Sequence, residues 1–133
     1  MSPERTREVM MQYWEFHDLN KLDENAIFTV MDTGYEARGR EAIGQMLHYF
    51  YHEAFEAQAE LKDILIAEDQ ACFEAEFVGR QLSEFAGIAP TSKEIRVPFC
   101  VVYDLAHDQI THGRIYFETG ALHQQSSCAL STI

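Results

Sequence analysis

Near its C-terminal end the chain reads Gly113-Arg114-Ile115-Tyr116-Phe117-Glu118. Alternate side chains of an extended segment share a face. Arg114, Tyr116 and Glu118 therefore form one row, with Ile115 and Phe117 on the opposite side. A cation, a phenol and a carboxylate in a row can do proton chemistry. In an apolar pocket, desolvation raises the pKa of a carboxylate and a neighbouring guanidinium lowers it. That competition can poise Glu118 to take a proton from a carbon beside a carbonyl. Tyr116, Tyr103 or a histidine would then donate a hydrogen bond to the developing enolate oxygen. The alternation alone has a plainer reading, in which Ile115 and Phe117 enter the core and the polar row meets water.

Other residues compete for a chemical role. Asp32 follows a strand-like run and is a second candidate base. It precedes Thr33-Gly34, so it also fits an ordinary turn. His17 lies one turn from Tyr13 and Trp14 on an apolar helical stripe, where a satisfied buried histidine and a pocket residue are both reasonable. His48 and His52 are four apart on a helix and could share a metal. No third ligand accompanies them, so no metal is assigned. Cys72, Cys100 and Cys128 make no CxxC motif and have no neighbouring catalytic histidine pattern. Cys72 and Cys100 read as small buried hydrophobes, and the cysteine usage fits a reducing compartment, taken as the cytoplasm.

The elements that must position these residues fit one domain. The chain has 133 residues, 47% of them hydrophobic, and a formal net charge of -12. The acidic balance disfavours nucleic acid and anionic membrane surfaces as partners. No secretory signal and no apolar run of membrane-spanning length is evident. Ser2 and Pro3 open a first helix with Val9, Met10, Tyr13, Trp14 and His17 on one stripe. Asp18 caps a short helical turn over Leu19 to Glu24. Ala26 to Met31 is a strand, and a helix follows Gly39 with Ile43, Met46, Leu47, Phe50, Ala54 and Phe55 toward the core. Strands then run over Leu61 to Ala67, Ala71 to Phe85, Ile95 to Asp104 and Gln109 to Thr119. Gly79 marks an expected bulge. The order predicts an α+β domain, its N-terminal helices packed in the concavity of a curved, mostly antiparallel mixed sheet. Such a cone leaves a central pocket for a small ligand. Trp14, His17, Phe50, Phe73, Phe77, Phe99 and Tyr103 are its candidate lining.

Three segments carry a resemblance. Gly39-Arg40-Glu41-Ala42-Ile43 opens the central helix, and Pro90-Thr91-Ser92-Lys93 precedes Ile95-Arg96-Val97-Pro98. Tyr116-Phe117-Glu118 is followed by Gln125. In this order the chain resembles the SnoaL-like polyketide cyclases of the nuclear transport factor 2-like superfamily. The resemblance covers residues 5 to 125, which gives one domain over 1–125 and a tail over 126–133. It implies a cofactor-independent protein binding an apolar, carbonyl-bearing small molecule, with Glu118 where the cyclases carry an Asp. It also implies that Arg114, Tyr116 and Glu118 face the cone while Ile115 and Phe117 lie outside. That exposed apolar face would make a homodimer. Asp32 falls near the place where steroid isomerases of the superfamily keep their carboxylate, so an isomerase or hydrolase using Asp32 is an alternative. A non-catalytic binding or dimerisation module on the same fold is another.

Overall fold

The computed structural model describes residues 1–85, 87–90, 93–122 and 124–125. Helix α1 (Pro3–Phe16) starts where the sequence directs it. The Ser2 hydroxyl accepts the Arg5 amide at 3.1 Å, and Pro3 sits in the first turn. The helix stops at His17, whose left-handed φ of 48° turns the chain out of the spiral. Asp18 caps a single 3-10 turn, Leu19–Lys21, by accepting the Asn20 amide at 3.0 Å. Strand β1 (Leu22–Val30) follows, then a tight turn into β2 (Tyr35–Arg38). Helix α2 (Arg40–His48) runs into a π-helical turn, Tyr49–Glu53. Four long strands complete the chain: β3 (Phe55–Ile66), β4 (Gln70–Gln81), β5 (Glu94–Ala106) and β6 (Gln109–Phe117).

All six strands join one sheet in the order β2-β1-β6-β5-β4-β3. Every pair is antiparallel except β1 with β6, which is parallel. The α+β cone expected from the sequence is the architecture found. Both helices cover the concave face. Val9, Met10 and Tyr13 of α1 and Ile43 and Met46 of α2 are buried there, against Phe28, Phe73, Val97, Tyr103 and Ile110 of the sheet. Wet positions of β4 and β5 alternate with these on the convex face. Arg96 there meets Glu76 at 2.7 Å and Glu60 at 3.2 Å. The Cys72 and Cys100 sulfurs lie 3.2 Å apart across β4 and β5.

Several boundaries differ from the sequence reading. Strand β1 begins at Leu22, so the helical turn expected to Glu24 ends after Lys21. Strand β2 was hidden because its four residues are too few for a period to show. Strand β3 starts at Phe55, which the helical spacing had assigned to the preceding helix. The π turn shifts the phase of that helix, so its 3.6-residue pattern stops being informative after His48. Strand β4 ends at Gln81 rather than Phe85. The irregularity in the β3–β4 ladder falls between Leu61 and Asp63, not at Gly79. The 126–133 tail and Thr91-Ser92 of the second resemblance segment lie outside the described residues.

Two glycines are required by close approach rather than by φ. At Gly79 a Cβ would run into the Glu56 carbonyl oxygen and would sit 2.6 Å from the Ala57 Cα. At Gly113 it would meet the Phe28 ring at 2.9 Å. The first contact is with backbone and the second with a packed ring, so they should differ in cost. Gly113→Ala is expected to destabilise by about 1–3 kcal/mol, the scale of overpacking a core. Gly79→Ala should cost more, because two strands must move apart. Urea unfolding at unchanged m-value checks both.

Candidate functional site

The site is built by adjacent strands presenting matched inner-face residues. Phe28 of β1 stands beside Gly113 of β6, which stands beside Tyr103 of β5. One step toward the open end the row is Val30, Ile115 and Val101, and the next pairs Phe117 with Phe99. Asp32 lies in the turn that follows Val30, where the chain folds back toward β2, and this turn sets it at the rim. Across from this wall stand Tyr13 and Trp14 of α1, Met46 and Leu47 of α2, and Phe50 and Tyr51 of the π turn. Between them lies a cavity of about 100 Å³ with a mostly apolar lining.

The strand orientation corrects the expectation drawn from the resemblance. Ile115 and Phe117 line the cavity, while Arg114, Tyr116 and Glu118 stand on the convex side. Glu118 and Tyr116 are exposed, Tyr116 at 47%. The physical reason is the plain one: helices cover only the concave face, so the apolar side of β6 goes there. With Ile115 and Phe117 inside, the outer-face homodimer expected from them loses its surface. Arg114 is paired with Asp104. Its guanidinium donates to Asp104 at 2.6 Å, and Gln70 donates to the same carboxylate at 2.8 Å.

Six of the seven residues expected to line the pocket do so: Trp14, His17, Phe50, Phe77, Phe99 and Tyr103. Phe73 does not. It is fully buried behind Trp14, ring centroids 5.0 Å apart, and belongs to the core. Asp32 reaches the site, but at its rim. It is exposed, it borders both the cavity and a groove on the convex side, and its carboxylate accepts the Thr119 hydroxyl. Among the described lining residues it is the one carboxylate. Residues 119–122 turn helically after β6, which is how Thr119 comes back over the rim.

The polar groups facing the apolar interior are chiefly phenols. Tyr13 and Tyr103 are each 2% exposed, with ring centroids 6.0 Å apart. Burial pushes both phenols well above the ordinary tyrosine range; nearby Tyr51 adds to both, and Tyr13 adds to the rise at Tyr103. Burial pushes Tyr51 up to about 12. All three thus stay un-ionised hydrogen-bond donors across the working pH range. His17 stands at the rim between Tyr13 and Tyr51, ring centroids 6.0 and 5.4 Å away. Desolvation and then the nearby His52 lower its pKa, so it is neutral at pH 7. The sequence singled out Tyr13 only as a stripe residue and missed Tyr51. Helical spacing selects Phe50, and only the π turn brings Tyr51 round as well.

Among the described residues no group of three or more His, Cys, Asp or Glu side chains could hold a metal. His48 and His52 are neighbours, ring centroids 5.3 Å apart, on the exposed side of the α2 end. No helix among them is long and apolar enough to cross a membrane.

The Asp104 pair on the convex face yields a pH test. The hydrogen bond from Arg114 holds the Asp104 carboxyl below its ordinary range, against the opposing effect of partial burial and with help from Gln70. A depressed folded pKa means the folded chain binds fewer protons than the unfolded one. The stabilisation is therefore full above the unfolded value of about 4 and fades as pH falls through the folded value. Arg114→Met should cost about 0.5–1 kcal/mol at neutral pH, after discounting for solvent screening. The difference from wild type should shrink as pH falls from neutral through the folded pKa, because the folded carboxyl is then protonated as well. Urea titrations across that pH range measure it.

The geometry has relatives. No curated protein matches the chain. Among solved structures, a protein from Jannaschia sp. CCS1 named as a candidate SnoaL-like polyketide cyclase superposes with a TM-score of 0.78 at 14% identity, covering 90% of each chain. A candidate polyketide cyclase from Xanthomonas campestris pv. campestris gives 0.76 at 18% identity, over 92% of this chain and 97% of that one. A candidate ketosteroid isomerase from Kribbella flavida DSM 17836 gives 0.67 at 12% identity, over 86% and 78%. At these identities the structures share the nuclear transport factor 2-like cone and nothing finer. The family model for SnoaL-like polyketide cyclases matches residues 4–126, nearly the whole sequence. The chain belongs to the SnoaL-like polyketide cyclase family.

Proposed function

We propose that the cavity binds an apolar, carbonyl-bearing small molecule and that Asp32 removes a proton from the carbon beside its carbonyl. The observation that carries this reading is the pairing of one rim carboxylate with buried, un-ionised phenols in an otherwise apolar cavity. A carbon acid needs two things at once: a base at the carbon, and donors at the oxygen where charge develops. Asp32 is the candidate for the first. Tyr13, Tyr51 and Tyr103 are candidates for the second, because a phenol that resists ionisation donates its proton without losing it. The Thr119 hydroxyl fixes the direction of the Asp32 carboxylate. His17, neutral at the rim, can donate or accept one further hydrogen bond. The enolate so formed has two fates within this chemistry. It can attack a second carbonyl of the same molecule, closing a ring by an aldol step, or it can be reprotonated at another carbon.

A second reading is a binding module without catalysis. It is favoured by the exposure of Asp32 and by its occupied hydrogen bond to Thr119. Exchange of carbon-bound hydrogen for deuterium in a bound ketone separates the two. Asp32→Asn should slow exchange about 100-fold or more, the usual scale for losing a general base. Glu118→Gln should leave the rate unchanged. Equal exchange in wild type and Asp32→Asn would leave the binding module as the correct reading.

A further inference from the structure

We infer that the ligand's buried part is a single ring: a monocyclic ketone or 1,3-dicarbonyl compound, rather than the fused polycycle that the family name suggests. The inference rests on the reading of the cavity as the substrate site. It concerns what the cavity admits and does not depend on which group is the base.

The argument is one of volume and of what fills it. The cavity holds about 100 Å³. An apolar cavity of about 150 Å³ takes up one benzene ring, and this one is smaller, so a single ring is the most its buried part admits. The limit comes from side chains fixed in the core. More than half of the lining is aromatic. Phe77 is 3% exposed and sits at the centre of this packing, with Phe55, Tyr51 and Phe117 rings at 5.1, 5.2 and 5.6 Å. Phe28 is pressed on Gly113, and Tyr103 packs edge-on against both Phe28 and Phe73. Rings interlocked in this way do not make space by a rotamer change of one residue, because each is a wall for the next. The polar groups give the ring its direction. Tyr13 and Tyr103, each 2% exposed, are the deeply buried polar residues of the lining, and Asp32, Thr33 and Thr119 are more exposed. A ring carbonyl pointed at the phenols leaves its substituents directed at the rim. A flexible chain on the ring could extend there, whereas a second fused ring would be forced into Phe77 or Phe99.

Trp14 is the single tryptophan of the chain and lines the cavity, so its fluorescence reports occupancy. The test is a titration of wild type with cyclohexanone, 2-decalone and a saturated three-ring ketone. Greater apolar area would by itself make affinity rise along that series. The expectation is the reverse, with the three-ring ketone weaker than cyclohexanone by about tenfold or more, the scale of overpacking a filled interior. Phe77→Ala should bring 2-decalone to or above the affinity of cyclohexanone. Phe117→Ala, at a half-buried position nearer the rim, serves the same purpose if the first variant does not fold. Affinity rising through the three-ring ketone in wild type would overturn the size limit alone. No response of Trp14 to any of the three would overturn both the limit and the reading of the cavity. A failed exchange test for Asp32, with the size order intact, would remove the catalytic reading and leave this one standing.

Discussion

Among the described residues, α1 and α2 cover one face of the sheet and leave the other bare, and nearly everything else depends on that. Both helices lie in the concavity, so the hydrophobic effect sorts each strand by parity, apolar positions toward the helices and polar ones away. A strand cannot evade the sorting by a small adjustment, since a one-residue slip would reverse all of its side chains. This constraint turns Ile115 and Phe117 into cavity wall and places Arg114, Tyr116 and Glu118 on the opposite face. Strand β1 ends at Val30, and the turn that follows sets Asp32 at the rim. The chemistry available to the pocket was in effect chosen by the burial requirement of its neighbours.

The fold was legible in the sequence because its signals are long and mutually consistent. The Ser2-Pro3 start, the apolar stripe of α1 and the dry and wet alternation of Phe73 to Phe77 each repeat over several turns or strand pairs. Short or phase-shifted features were not legible. Strand β2 has too few residues to show a period, and the π turn after His48 breaks the helical count just before Phe55. The aromatic lining was read well, at six residues of seven, because large apolar side chains at inner-face positions of a cone have nowhere else to go. Phe73 failed for lack of depth information: alternation says which face a residue is on, not how far along the strand the space opens. The error at Glu118 has a different source. The parity of β6 points the right way, and the family pattern points the other.

A consequence for the interior is that its polarity is supplied by phenols rather than by charges. A buried carboxylate or ammonium would need a partner in so apolar a setting. A phenol avoids that charge penalty, because burial keeps it protonated. Tyr13, Tyr51 and Tyr103 therefore give the cavity directional donors without a buried charge, while the carboxylates and guanidinium groups stay at the rim and on the convex face. There, Asp104 with Arg114 and Gln70, and Arg96 with Glu60 and Glu76, keep the wide polar side of the sheet in order.

The parallel seam between β1 and β6 has a consequence for how the molecule is made. Residue Phe28 is matched to Gly113 and Val30 to Ile115, so the first strand of the sheet finds its inner neighbour only in the last. On a ribosome, β1 emerges long before β6 exists, and contacts of such long sequence separation are slow to close. The β3–β4–β5 meander can form during synthesis from neighbours already present. The pocket cannot, because β1, with its Phe28 wall, joins β5 and the meander only through β6. A nascent chain thus carries a meander and an open cone, and the ligand site closes only once β6 has emerged.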